Sequence, residues 1–285
     1  MSQIAYVNGA YMPLAHARVS ILDRGFQFAD SIYEVWAVRG GRLADVQGHL
    51  TRLWRSLAEL RIAPPMGEAS LMAVVREIQR RNRVRDGIVY LQISRGAAPR
   101  DHGFPNPPVK PTIVLTAKNL DRVAISARAA SGVKVISLPE SRWARCDIKS
   151  TNLLPNVLGR QAAREAGAFE AWFVDEAGFI TEGTSSNAWI VDSAGRLRTR
   201  ALSNHILHGV TRAALLALAP QMQLQVDETP FTPADVKAAR EAFISAASNP
   251  AMPVIAIDGA PIGDGQPGPI TTALRAFYLG ESTAP

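Results

Sequence analysis

Lysine is scarce in this chain: of 31 basic residues five are lysines, at 110, 118, 134, 149 and 237, which leaves 26 arginines. A lysine that forms an imine with a carbonyl must be held where burial or neighbouring cations favour its neutral amine, because only that form attacks. Lys110 stands among prolines in a polar stretch, Lys118 borders the junction of the chain's two halves, Lys134 alternates with Val133 and Val135, and Lys237 falls on the polar side of a helical pattern. Each of these reads as a solvated charge. Lys149 differs, because "SRWARCDIKSTNLLP" surrounds it with Trp143, Arg145, Cys146 and Ile148, bulky apolar and cationic neighbours together. On the residues alone two readings stay open for it, a reactive amine and a structural ion pair with Asp147.

Other chemistries find little to work with. The five histidines, at 16, 49, 102, 205 and 208, include only the pair His205 and His208 at close spacing, and no carboxylate adjoins it, so metal catalysis is not expected. Gly263, Gly265 and Gly268 match the spacing of a dinucleotide loop, yet 17 residues follow, too few for the second strand and ribose-binding acid of that unit. A single cysteine, Cys146, rules out an intrachain disulfide and a cysteine zinc cage; it reads as a small buried hydrophobe in a reducing compartment. Arg80, Arg81, Arg83 and Arg85 trail a helical pattern with no aromatic residue interleaved, so a solvated helix end is expected rather than a nucleic-acid patch. No apolar run approaches bilayer length, and Met1-Ser2-Gln3-Ile4 opens no basic-then-apolar leader, which predicts a cytoplasmic protein without membrane or nucleic-acid partners.

The elements that must position Lys149 follow from periodicity. "IAYVNGAYMP" reads as a hairpin about Asn8-Gly9. Helical spacing joins Leu50, Leu53, Trp54, Leu57 and Leu60, then Leu71, Met72, Val75 and Ile78. Strands are predicted at "GIVYLQISRG" and "PTIVLTA", joined by the long polar loop "AAPRDHGFPNPPVK". After "AKNLDR" come the strand "VKVISLP", an irregular stretch through Ser150, a helix from about Leu154 to Ala166, and short strands "EAWFVD", "FITEG" and "NAWIVD". Helices are predicted over Thr211 to Ala219 and Pro233 to Ala242, then a hairpin "PVIAIDGAPI" and a last helix. With 285 residues, 47% hydrophobic and 20% charged, and a net charge of +6, the chain reads as two α+β domains, 1–120 and 121–285, with largely antiparallel sheets.

Several motifs, in order, make a wider pattern: "DRGFQFADSIYE", "HLTRLW", "RGAAPRDHGFP", "RWARCDIKSTNLL", "FITEGTSSN" and "ILHGVTR". In that order they resemble the class IV pyridoxal-phosphate aminotransferases, and among these most the D-amino acid aminotransferases, over nearly the whole chain. The resemblance implies a two-domain α+β fold with pyridoxal 5'-phosphate bound between the domains, most of its contacts coming from the second. It makes Lys149 the aldimine-forming lysine and proton carrier, and Glu182 the acid at the pyridine nitrogen. Arg52, the Gly209, Val210 and Thr211 turn, and the backbone at Ala246 and Ala247 would hold the phosphate, while Leu207 would pack on the ring.

For substrate, the resemblance assigns the α-carboxylate to Tyr33 together with Arg100 and His102, the last two reaching in from a partner subunit of a homodimer with shared active sites. Without the wider pattern each of these residues has a plainer alternative: a solvated helical arginine at 52, a strand-end glutamate at 182, a capped helix at 209–211, a polar turn at 100–102. Trp36 and Ala37 depart from the pattern beside Tyr33 and leave side-chain preference open. The implied reaction moves the amino group of a D-amino acid, such as D-alanine, to a 2-oxo acid, such as 2-oxoglutarate. A branched-chain L-amino acid aminotransferase and an aminodeoxychorismate lyase are the alternatives of the same fold.

Overall fold

The computed structural model describes residues 3–281; Met1 and Ser2, where the leader reading begins, lie outside the described residues. By the contacts its residues make, the chain forms two units, Met1–Asp121 with Ile148–Asn152, and Arg122–Asp147 with Leu153–Pro285. The short segment that carries Lys149 thus folds with the first unit, while the chain before and after it folds with the second.

In the first unit β1 (Ile4–Val7) and β2 (Ala10–Pro13) form the expected hairpin. Its turn residues Asn8 and Gly9 both take positive φ, 47° and 101°, as the tight hairpin turn demands. After the short α1 (Arg24–Phe28), strand β3 (Ser31–Arg39) pairs with β4 (Arg42–Leu43), and α2 (Val46–Glu59) and α3 (Glu68–Arg81) precede β5 (Gly87–Ser94) and β6 (Thr112–Asn119). The six strands lie in the order β2-β1-β6-β5-β3-β4. Alternation along β3 sends Ile32, Trp36 and Val38 into a core closed by Leu50, Leu53 and Leu57 of α2 and Leu71, Val75 and Ile78 of α3. Because β4 pairs only with Val38 and Arg39, the beginning of β3 keeps an open edge. Ser150 bridges Ile32 there, and the Tyr33 N–H donates to the Lys149 carbonyl at 3.0 Å. Ile148 anchors this added segment in the core.

The second unit opens with α4 (Arg122–Ser131), a helix the periodicity did not reveal because none of its residues is buried. Next come β7 (Val133–Pro139), α5 (Leu154–Glu165), β8 (Glu170–Val174), β9 (Ile180–Gly183), β10 (Asn187–Val191), β11 (Leu197–Thr199), α6 (Val210–Leu218), β12 (Val226–Asp227) and α7 (Pro233–Ala238). The chain closes with β13 (Glu241–Ala246), β14 (Asn249–Ile257), β15 (Ala260–Pro261) and α8 (Pro269–Leu279). The nine-stranded sheet runs β12-β11-β10-β13-β14-β7-β8-β9, with β15 on β14. It is mixed: β14 with β7, β7 with β8, and β11 with β12 are parallel pairs, while its other pairings and all those of the first sheet are antiparallel, in keeping with the largely antiparallel expectation.

The helix expected over Pro233 to Ala242 stops at Ala238. Ala239 is extended, and Glu241–Ala246 enters the sheet between β10 and β14, where an apolar run buried on both faces is more stable as a strand. The glycines at 263, 265 and 268 lead into α8, whose first N–H groups are taken by the Glu241 carboxylate, 2.9 Å from Ile270 N and 2.7 Å from Thr271 N. Among the described residues no helix is long and apolar enough to cross a membrane, and no group of histidine, cysteine and carboxylate side chains could hold a metal ion.

Candidate active site

Lys149 is half-buried at the open edge of β3, with its backbone N–H 3.3 Å from the Ser56 hydroxyl of α2. Its Nζ lies 4.1 Å from the centre of the Tyr33 ring, a cation–π distance. Tyr33 stacks on Tyr90 at 5.8 Å, and burial pushes the Tyr90 hydroxyl up to about 12, so that it stays neutral and donates to Gln92 at 2.8 Å. The hydroxyls of Ser31 and Thr151 bond each other and fix the far end of the segment. Lys149 makes no ion pair among the described residues. Asp147 instead takes both arms of Arg145, at 2.9 and 3.0 Å, which closes the salt-bridge reading.

Arg52 is buried rather than solvated, and it does not stand alone. Glu34, fully buried on the core face of β3, accepts from Arg52 Nε at 2.7 Å and Nη2 at 2.8 Å, with His49 Nδ1 2.8 Å away. Burial alone would raise the Glu34 carboxyl; the charge of Arg52 and the hydrogen bonds from Arg52 and His49 outweigh it and hold the carboxyl at about 2. Trp36 packs near His49 in the same core, so its side chain leaves the Tyr33 face, which Val35 and Ala37 share by strand alternation.

Arg100 and His102 are both exposed and both lie near one ring: the Arg100 guanidinium is 4.9 Å from the Phe28 ring centre and the His102 ring 5.3 Å. Their loop is pinned from below. Arg24 donates to the carbonyl of Asp101 at 2.6 Å and to that of His102 at 3.3 Å, while its Nε holds Asp30 at 2.8 Å. Arg95 holds the same carboxylate at 2.7 and 2.9 Å, and the two guanidiniums together keep Asp30 below the usual carboxylate range despite its partial burial.

In the second unit Glu182, at the end of β9, is buried and thoroughly held. The Leu207 N–H donates to both of its oxygens at 3.1 Å, Asn187 Nδ2 donates at 3.0 Å, and Arg142 Nη1 forms an ion pair with it. Arg142 also forks onto Glu140 through Nε at 2.9 Å and Nη2 at 2.6 Å. Burial pushes the Glu182 carboxyl above its ordinary range; Arg142 and the Leu207 N–H pull it down, and the nearby Glu140 charge adds to the rise.

Asn187 also donates to the Leu207 carbonyl at 3.0 Å, which ties the carboxylate to the turn leading into α6. Gly209 caps α6 with no side-chain hydrogen bond, and Val210 and Thr211 are buried in its first turn, so the N–H groups of that turn face no capping side chain. Ala246 and Ala247 are half-buried at the turn between β13 and β14. Cys146 is half-buried in the loop before Lys149 rather than in a core, its Sγ donating to the Trp143 carbonyl at 3.1 Å.

Sequence reasoning passed over Glu34, Glu140, Arg142 and Asn187. Glu34, Arg142 and Asn187 stand inside recognised motifs that gave them no task of their own, and Glu140 stands just outside one.

The residues fit pyridoxal 5'-phosphate. Glu140 and Glu182 share one guanidinium, a buried cluster with one negative charge in excess, which suits a protonated pyridine nitrogen. An uncapped helix start at Gly209 to Thr211 suits the phosphate. A lysine amine without a carboxylate partner suits the aldehyde.

Residues 31–257 match the family model for amino-transferase class IV. The D-alanine aminotransferase of Staphylococcus haemolyticus is 37% identical over 274 residues, 96% of this chain and 95% of that one. That of Bacillus licheniformis is 38% identical over 279 residues, 96% and 97% of the two chains. Among solved structures, the Escherichia coli branched-chain amino acid aminotransferase superposes with a TM-score of 0.91 at 22% identity, covering 98% of this chain and 94% of that one. The T.th. branched-chain amino acid aminotransferase with pyridoxamine 5'-phosphate gives 0.89 at 25% identity, over 98% and 93%.

Proposed function

Because the chain belongs to the class IV aminotransferase family, enzymes that work with pyridoxal 5'-phosphate, we propose that it transfers the amino group of a D-amino acid, D-alanine among them, to a 2-oxo acid such as 2-oxoglutarate. The observation that carries the choice of substrate is the placing of Arg100 and His102 near one ring, Phe28, on one pinned, exposed loop. A guanidinium fork beside an imidazole is a carboxylate trap. The full-length relatives named D-alanine aminotransferase support the same choice. Likeness to the branched-chain enzymes, at 22% and 25% identity, speaks for fold.

In this reading each residue has one task. The bound cofactor supplies an electron sink that makes the substrate's α-proton removable. Lys149 holds the cofactor and its amine carries that proton away and back. With the cofactor bound, Glu182 would accept from the ring nitrogen, Leu207 would lie against the ring, and Arg52 with the first turn of α6 and the backbone at Ala246 and Ala247 would hold the phosphate. Tyr33, Arg100 and His102 bind the α-carboxylate, the last two from a second copy of the chain in a cytoplasmic homodimer. A coupled assay of the purified protein against D- and L-amino acids with 2-oxoglutarate tests it: turnover of the D series is expected, and turnover confined to the L series contradicts it.

A further inference from the structure

Glu140 is a carboxylate beside Glu182 to which the reaction just described gives no task, and it shares Glu182's cation. Arg142 is almost fully buried, its guanidinium 4.8 Å from the Phe173 ring centre. Its Nε and Nη2 fork onto Glu140, its own backbone N–H donates to Glu140 at 2.9 Å, and only Nη1 is turned to Glu182. Thr181, the neighbour of Glu182 on β9, donates its hydroxyl to Glu140 at 2.7 Å, so the two carboxylates are also tied through the strand. Arg142 Nη2 further reaches the Thr181 hydroxyl at 3.1 Å and the His205 carbonyl at 3.2 Å.

Among the described residues, His205 meets Arg142 through its backbone carbonyl, and burial pushes the neighbouring Cys146 thiol up to about 12, so that thiol contributes no charge at neutral pH. Asp147, beyond it, is matched by Arg145. The balance at Glu182 is therefore set by one guanidinium and two carboxylates.

We propose that Glu140 is a positioning residue that acts through Arg142: it draws the guanidinium's charge away from Glu182 and so keeps a proton on the nitrogen of the bound cofactor ring. This rests on the reading of Glu182 as the partner of that nitrogen. With Glu140 neutral, Arg142 and Glu182 form a closed pair of zero net charge, which offers a ring cation little. With Glu140 ionised, the cluster carries one uncompensated negative charge in a poorly hydrated interior, where it acts strongly.

The test is the ¹⁵N resonance of the pyridine nitrogen in holoenzyme loaded with ¹⁵N-labelled cofactor, followed against pH. In wild type the nitrogen is expected to stay protonated at neutral pH, and in Glu182→Gln to lose its proton. Glu140→Gln is expected to lower the midpoint by about one pH unit, a tenfold loss of proton affinity. Glu140→Asp, which keeps the charge but withdraws it by one methylene, is expected to fall between, and it reads the same quantity should Glu140→Gln not fold.

A wild-type midpoint in both Glu140 variants, with the proton lost in Glu182→Gln, overturns the role of Glu140 alone. Weaker cofactor retention or lower melting temperature without a shifted midpoint makes Glu140 merely structural and overturns it too. A nitrogen still protonated in Glu182→Gln overturns the reading of Glu182 and this inference with it.

Discussion

A Cβ placed on Gly209 would lie 2.0 Å from Oδ1 of Asn187. The side chain that steadies Glu182 therefore also dictates which residue can begin α6. Asn187 cannot step aside freely, since it is buried and its Nδ2 holds both Glu182 and the Leu207 carbonyl.

Gly209→Ala is thus expected to cost about 1–3 kcal/mol of stability, the range for overpacking a well-filled interior. Because the turn it displaces is the proposed phosphate cradle, cofactor retention on dialysis should fall as well. Urea unfolding and cofactor absorbance measure the two effects separately; a variant as stable as wild type with full retention contradicts the tight packing at 209.

Glu34 gives a pH dependence with a definite sign. Its carboxyl titrates at about 2 in the folded chain against an ordinary 4.5, so its contribution is present above about 4.5 and is lost as pH falls toward about 2. Glu34→Gln leaves the Arg52 guanidinium buried without its counter-charge and is expected to destabilise by about 3 kcal/mol or more at neutral pH. It should also flatten the loss of stability between those pH values. Denaturant unfolding at a series of pH values checks both; an unchanged acid slope would mean that Glu34 is not ionised in the fold.

Lys149→Ala is expected to leave both units folded and to reduce transamination by about a thousandfold or more, the scale of losing a positioned proton carrier together with a covalent anchor. Borohydride reduction of wild-type holoenzyme followed by peptide mapping should place the cofactor on Lys149. A label on Lys110, Lys118, Lys134 or Lys237 contradicts the assignment.

Much of this arrangement is legible in the sequence wherever a local period or turn carries it. Leu50, Leu53 and Leu57 mark α2, and Asn8-Gly9 marks the first hairpin. The failures are non-local. The helical pattern from Pro233 runs on through Glu241 and Ala242, which the structure gives to β13, because the partners β10 and β14 lie far along the chain or across a turn, and only their pairing decides the conformation. The return of Ile148–Asn152 to the edge of β3 leaves no period in five residues. Among candidate site residues, Lys149 is visible because lysine is scarce, whereas Arg142, in the same motif, is one arginine among 26 and takes its meaning only from Glu182, 40 residues on, once the fold has formed. Glu34 belongs with Arg52 only once a strand and a helix have packed, 18 residues apart.

Handedness tests the proposed function most directly. The measurement is kcat/KM for a D-amino acid, its L enantiomer and a simple (R)-amine, in wild type and in Arg100→Ala. Wild type is expected to favour the D enantiomer, and Arg100→Ala to weaken D-amino acid use by about 2 kcal/mol or more, roughly thirtyfold, as befits losing a charge-assisted hydrogen bond to a carboxylate. The amine, which has no carboxylate to engage the guanidinium, should lose far less, and cofactor binding should survive. Preference of the wild type for the L enantiomer, or an equal loss for all three substrates, would contradict the carboxylate trap and the D-amino acid reading that rests on it.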